Sequence, residues 1–169
     1  MLVLTAGENG PASRSRMDEQ KRACTVLGVD LLWGAFTDCS LAADESAVVH
    51  VIERVLAERH IDLMYTHSED DSHQDHRTAA LLSLGAGRNL QRILQYNSPS
   101  SRHFSPHLLI DITDTIDKKL NALAEHDSQV TGSERVDLQA VRAQAVMFGA
   151  LVQVGAAEGF ISERFLLDV

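Results

Sequence analysis

Short dense apolar runs alternate along this chain with longer amphipathic stretches, and the alternation predicts strands and helices in turn. Residues 2–5 form a compact apolar run predicted as a strand, followed by a turn-rich loop over 6–11. Residues 14–27 read as a helix with Met17, Ala23, Cys24 and Leu27 on its apolar face and Gly28 as its stop. A second strand is predicted over 29–36. A strong amphipathic helix follows over 47–58, where Val48, Val51, Ile52, Val55 and Leu56 recur at helical spacing. Residues 61–65 give a third strand and 75–84 a further helix. Beyond it, strands over 93–96, 107–112 and 160–167 alternate with helices over 114–125, capped by Thr113 or Asp114, and 136–154. Strands alternating with such helices imply an α/β fold, a Rossmann-like three-layer sandwich with a mostly parallel sheet. The whole chain, 1–169, is expected to be one domain.

Composition changes this picture little. Hydrophobic content of 44% and charged content of 23% are ordinary for a globular protein. A net charge of -9 argues against a nucleic-acid surface, which is normally basic. Cys24 and Cys39 lack metal-binding spacing, sit in apolar surroundings and read as buried free thiols. No apolar run approaches the ~20 residues of a membrane span, and no secretory signal is visible, so a cytoplasmic location is expected. Trp33 and the phenylalanines are expected in the core, and His50 and His60 on the surface.

The chemistry concentrates in Thr66-His67-Ser68-Glu69-Asp70-Asp71-Ser72-His73-Gln74-Asp75-His76-Arg77. It follows a strand and opens a helix, the place where ligands bind in open α/β sheets. His73 and His76 are three apart and can face one site. Asp75 stands beside them and could hold an imidazole by its ring N–H. The plain structural alternative is a solvated acidic loop in which Asp70 or Asp71 caps the helix. Two histidines cannot close a zinc site, which needs three protein ligands and an open position; His67 is either a third ligand or a surface residue. Arg16 and Glu19 form either a surface ion pair or, through Arg16, a grip on substrate. Asp38 is either a turn residue or an acceptor for a polyol. His126 reads as a histidine favoured by a helix end. Gly7 and Gly10 do not make a phosphate loop.

Taken in order, these residues resemble the LmbE-like, or PIG-L (N-acetylglucosaminyl-phosphatidylinositol de-N-acetylase), family. Thr66-His67 followed by Asp71-Ser72-His73-Gln74-Asp75-His76-Arg77 is similar to its TH…D-x-H-x-D-H-R signature. Leu4-Thr5-Ala6-Gly7-Glu8, Arg16-Met17-Asp18-Glu19, Phe36-Thr37-Asp38, Asp111-Ile112-Thr113-Asp114 and His126-Asp127-Ser128-Gln129 resemble further family segments. The resemblance implies a zinc-dependent N-deacetylase acting on an N-acetyl amino sugar or related small molecule. It makes His76 a Zn²⁺ ligand and His73 the residue that stabilises the oxyanion or protonates the leaving amine. It makes Asp75 the orienter of a histidine, and Arg16 and Asp38 substrate contacts. The competing expectations are an amidase on a non-sugar amide and a non-catalytic carbohydrate-binding module on the same fold. A homo-oligomer is compatible with the sequence.

The family also opens on a strand ending in an H-P-D-D-E motif, which supplies further metal ligands and the general base. No such motif is present, and the chain starts where the family's second strand starts. The expectation is therefore a domain read without its first strand. A longer gene product, a fragment completed by another segment, or a degenerate relative would each account for it.

Overall fold

The computed structural model describes residues 1–9, 13–131 and 136–167. Along the chain run β1 (Leu2–Thr5), α1 (Ser13–Leu27), β2 (Leu32–Phe36), a 3-10 turn (Leu41–Ala43), α2 (Glu45–Glu58), β3 (Leu63–His67), α3 (Gln74–Ala86), β4 (Arg92–Tyr96), β5 (Leu108–Asp111), α4 (Ile116–Ala124), α5 (Asp127–Val130), α6 (Leu138–Leu151) and β6 (Ala157–Phe165). The α/β expectation holds. One sheet pairs β1 with β2; the other runs β3-β4-β6-β5. β1–β2 and β3–β4 are parallel, and β6 is antiparallel to β4. Gly10 and Pro11, part of the predicted first loop, lie outside the described residues.

The chain divides into two compact units, Met1–Asp38 with Leu109–Glu158, and Cys39–Leu108 with Gly159–Val169. In the first, Leu2 pairs with Leu32 and Val3 with Trp33, and the register slips before Thr5 meets Phe36. Ala35, at φ 59°, is the extra residue that makes the slip, as in a bulge. β2 begins three residues later than predicted, because Gly28 at φ 72° closes α1 by donating to the Cys24 carbonyl and Val29 does the same. Ile116, Leu120, Ala145 and Ala156 form a core cluster, with Ile112, Leu138 and Val141 packed against it. α4 is capped at Thr115 rather than at Thr113 or Asp114. Thr113 is occupied elsewhere: its Oγ1 donates to Asp111 Oδ1 and accepts the Ala156 N–H.

In the second unit, β3 and β4 run in register from Leu63 opposite Arg92 to His67 opposite Tyr96. Along β3, Met64 and Thr66 are buried and Tyr65 is exposed, the two-residue period of a strand with one covered face. β4 is buried at Ile93, Leu94 and Gln95, as a strand covered on both faces must be. α3 packs on β3 and against α2. Small residues make that approach close: Ala79, Ala80, Ser83 and Ala86 are buried at helical spacing. Val48 and Ile52 supply the buried face of α2. Two core expectations need correction. Trp33 is only half-buried and Phe160 alone of the phenylalanines is buried; Cys24 is buried but Cys39 is exposed, because it sits in the turn after β2 at φ 61°. His50 and His60 are exposed, as expected.

Candidate active site

Because β3 and β4 end level, the loops that leave their carboxyl ends meet. The segment after His67 is stitched to the segment after Tyr96 by several bonds. Ser72 N–H and its hydroxyl both donate to the Ser100 carbonyl at 2.9 Å, and Arg102 N–H donates to the Asp70 carbonyl at 2.7 Å. Arg102 and His103 both reach the Asp70 carboxylate at 2.8 Å. From below, Arg77 Nη1 donates to the carbonyls of Asp71 and Ser72 at 2.6 and 2.9 Å. The arginine thereby satisfies backbone oxygens that a tight loop leaves without strand or helix partners.

At the centre lies Asp71, with 0% of its surface exposed. Several donors converge on its carboxylate. Ser98 Oγ (2.5 Å), His76 Nδ1 (3.1 Å) and Ser101 Oγ (3.2 Å) reach Oδ2, and the His73 N–H reaches Oδ1 at 2.8 Å. Burial pushes the carboxyl's pKa up, but the Ser100 and Ser98 hydroxyls, the His73 amide and the His76 ring together outweigh it and hold the group below its ordinary range. Asp71 is thus an ionised, buried hub and does not cap α3. The cap is His73, whose Nδ1 accepts the Asp75 N–H at 3.2 Å.

Three imidazoles stack above this hub. The rings of His67 and His76 are 4.0 Å apart and 9° from parallel; those of His73 and His76 are 4.5 Å apart at 26°. Hydrogen bonding assigns the two helix-start rings opposite tautomers. His76 gives its Nδ1–H to a carboxylate that can only accept, which leaves a lone pair on Nε2. His73 accepts at Nδ1, which leaves the proton on Nε2. A lone-pair edge and an N–H edge therefore stand side by side.

The other expected residues fall as follows. Asp75 is buried beside the rings, but its carboxylate accepts the N–H groups of Cys39 (2.7 Å) and Leu41 (3.4 Å). The carboxylate that meets His76 is that of Asp71. Arg16 and Asp38 belong to the first unit. There Asp38 accepts the Asn9 N–H at 3.2 Å and gives its own N–H to Glu8 at 2.7 Å. Arg16 lies across Gly7 so closely that a Cβ at Gly7 would come within 2.5 Å of its Nη1, and its buried Nε has no hydrogen-bond partner among the described residues. His126 stands at the N-terminal boundary of α5 without a side-chain capping bond, and burial lowers its pKa, opposed by the nearby Glu19.

His67 is the most perturbed of the rings. Burial, then the neighbouring His76, lowers its pKa from 6.5 to about 3, against the pull of Asp71. A histidine whose folded pKa is depressed costs nothing above its unfolded value and increasingly destabilises the fold as pH drops below that value. The metal-free protein is therefore expected to lose stability as pH falls from 6.5 towards 3, by up to about 1.4 kcal/mol per pH unit. Asp71 adds to the loss once its unfolded carboxyl begins to protonate. Urea midpoints measured across this range should show the slope, and His67→Phe, which keeps a stacking ring, should flatten it. An unchanged slope in that variant would remove His67 as the cause.

Metal binding can be tested against the same geometry. Ligand atoms of His67, Asp71 and His76 all lie within 4.8 Å of one another, an N,N,O set chemically suited to zinc. They do not make three ligands for one ion. Lone pairs in two nearly parallel ring planes do not converge, and Asp71 Oδ2, the carboxylate oxygen beside His76, already has three donors. What fits is His76 by itself: Nδ1 is tied to a carboxylate and Nε2 is offered outward, the arrangement that orients a metal-bound imidazole. The buried Nδ1 of His67 has no partner among the described residues.

Sequence reasoning missed Asp71 and the serines Ser98, Ser100 and Ser101. Asp71 stood as the first acid of the D-x-H-x-D-H-R resemblance without a role; for the serines the signal was indirect, two parallel strands joined by one helix bringing their following loops together.

Comparison with known proteins agrees with this picture. The family model for PIG-L, GlcNAc-PI de-N-acetylase, matches residues 1–86. No curated protein sequence matches the chain. Among solved structures, a conserved protein from Thermus thermophilus is similar at 24% identity and a TM-score of 0.83, over 99% of this chain and 82% of its own. The N,N'-diacetylchitobiose deacetylase from Pyrococcus horikoshii is similar at 21% identity and 0.77, over 95% and 71%. The 4-carboxy-2-hydroxymuconate hydratase from Pseudomonas putida is similar at 19% identity and 0.82, over 99% and 85%. These likenesses establish the fold. Since they include both a deacetylase and a hydratase, the fold by itself selects no reaction.

Proposed function

Because this chain belongs to the PIG-L, GlcNAc-PI de-N-acetylase, family, we propose that it is a zinc-dependent N-deacetylase that hydrolyses the acetamide of an N-acetyl amino sugar or a related small molecule. The observation that carries the reading is the pair of opposite imidazole edges at the start of α3. Amide hydrolysis needs a Lewis acid or base on one side of the carbonyl and a proton donor on the other. In this reading His76 is the zinc ligand, through Nε2. What zinc supplies in such a site is polarisation of the carbonyl and acidification of water.

His73 directs its Nε2–H at the developing oxyanion or the leaving amine. Asp75 supports His73 by filling its Nδ1 with a backbone N–H, while its carboxylate holds the Cys39 and Leu41 amides. Arg16 and Asp38 contact the substrate, the arginine as a planar donor for hydroxyls or an anion. The same reading carries a single catalytic domain over 1–169 and a cytoplasmic location. Among the described residues no helix is long and apolar enough to cross a membrane.

The test is release of free amine from a panel of N-acetyl amino sugars and simple N-acetyl amines, before and after stripping with EDTA and readdition of zinc. Stripping is expected to abolish release and zinc to restore it. Amine release indifferent to EDTA would overturn the zinc dependence. Saccharide binding indifferent to EDTA, with no amine released, would replace the enzyme with a carbohydrate-binding module.

A further inference from the structure

We propose that Asp71 is the positioning residue of this site, fixing His76 in the Nδ1–H tautomer so that Nε2 is the nitrogen presented outward; the consequence for metal affinity rests on the reading of His76 as a zinc ligand, but the tautomer does not. A carboxylate can only accept, so the 3.1 Å contact makes His76 Nδ1 the donor. Asp71 has no surface exposed to bulk solvent, so the ring is not in competition with it for the carboxylate.

The carboxylate is itself held on every side. Ser98 and Ser101 reach Oδ2 from the loop after β4, and the His73 N–H reaches Oδ1 from the start of α3. Ser100 Oγ stands 3.1 Å from Ser98 Oγ and 3.2 Å from His76 Nδ1, closing the ring of hydroxyls. The antiparallel bridge between Asp71 and Ser101 fixes the backbone on which the group rides. This arrangement separates Asp71 from both roles that proximity alone suggests. It does not cap α3, because His73 does. Its Oδ2, the oxygen that meets His76, already takes three donors and serves the ring rather than an ion. Within the H-x-D-H stretch Asp75 stands beside the rings, yet its carboxylate serves backbone amides. The acid that works on His76 comes from five residues upstream.

The experiment is long-range ¹H–¹⁵N correlation NMR on the metal-free full chain labelled at histidine, above about pH 7.5, a unit over the ordinary histidine pKa. Wild-type His76 is expected to carry its proton on Nδ1 and His73 on Nε2. Asp71→Asn, whose amide can donate to the ring, is expected to move His76 to the Nε2–H form. In competition with a chromophoric chelator, the same variant should bind zinc about 10–100-fold more weakly. Ser98→Ala removes a competing donor but leaves the acceptor-only carboxylate in place, so His76 should stay in the Nδ1–H form.

A wild-type His76 protonated on Nε2 overturns the proposal without any variant being needed. An Asp71→Asn chain that loses zinc while its tautomer stays put overturns it too, and makes Asp71 a ligand. The expected tautomers in a chain that neither binds zinc nor releases amine would instead sink the deacetylase reading and leave the role of Asp71 standing.

Discussion

Asp71→Ala is expected to lower the stability of the metal-free protein by about 3–5 kcal/mol, the usual cost of removing one partner from a buried charged network. Deleting the carboxylate leaves the His73 N–H and the His76 ring N–H facing a buried void. Each such orphan costs about 1–3 kcal/mol. The serine hydroxyls lose less, because Ser98 has Ser100 and Ser101 within 3.1 and 3.2 Å and the three can regroup. For a chain of this length the loss corresponds to a fall in thermal midpoint on the order of 10 °C. Asp71→Asn keeps the volume and one acceptor oxygen, and should cost visibly less. Urea titration of the three proteins checks the order; an alanine variant within about 1 kcal/mol of the parent, the net worth of a single ordinary hydrogen bond, would show that the network is decorative.

His73→Asn is expected to reduce kcat for amine release by about 10²–10⁴-fold, the range for loss of a positioned proton donor. The substitution is chosen because His73 has two separable duties. Its Nδ1 caps α3 by accepting the Asp75 N–H, and asparagine is a good residue for that duty. Its Nε2–H has no equivalent in the shorter side chain. Stability and zinc content should therefore stay near those of the parent while turnover collapses. Parallel measurement of urea midpoint, bound zinc and kcat tests this. Loss of zinc with loss of turnover would make His73 a ligand, and unchanged turnover would remove it from the chemistry.

The sequence carried most of the architecture because its signals are local. The Val48–Ile52 spacing fixes α2, and the short apolar runs fix β1, β3 and β4 within a few residues. The histidine loop was legible for the same reason: a strand end, an acidic turn and a helix start follow one another directly between Thr66 and Arg77. What could not be read was Asp71. Next to Asp70, in a polar loop, it looks like a helix cap. Its burial is decided by serines 27 to 30 positions further on. The cap itself moved to His73, a residue type that propensity would not choose. Cys39 misled in the opposite direction: expected as a buried thiol, it stands between Asp38 and Ser40, and a left-handed turn puts it outside.

The placement of the aromatic residues has a practical consequence. The chain's one tryptophan, Trp33, lies on β2 in the first unit, while both tyrosines, Tyr65 and Tyr96, lie on β3 and β4 in the second, Tyr96 with its ring 4.8 Å from His67. Indole emission and tyrosine circular dichroism therefore report on different halves of the molecule without any engineered label. Coincident optical transitions would license a two-state treatment of every midpoint discussed above, and staggered ones would show which half gives way first.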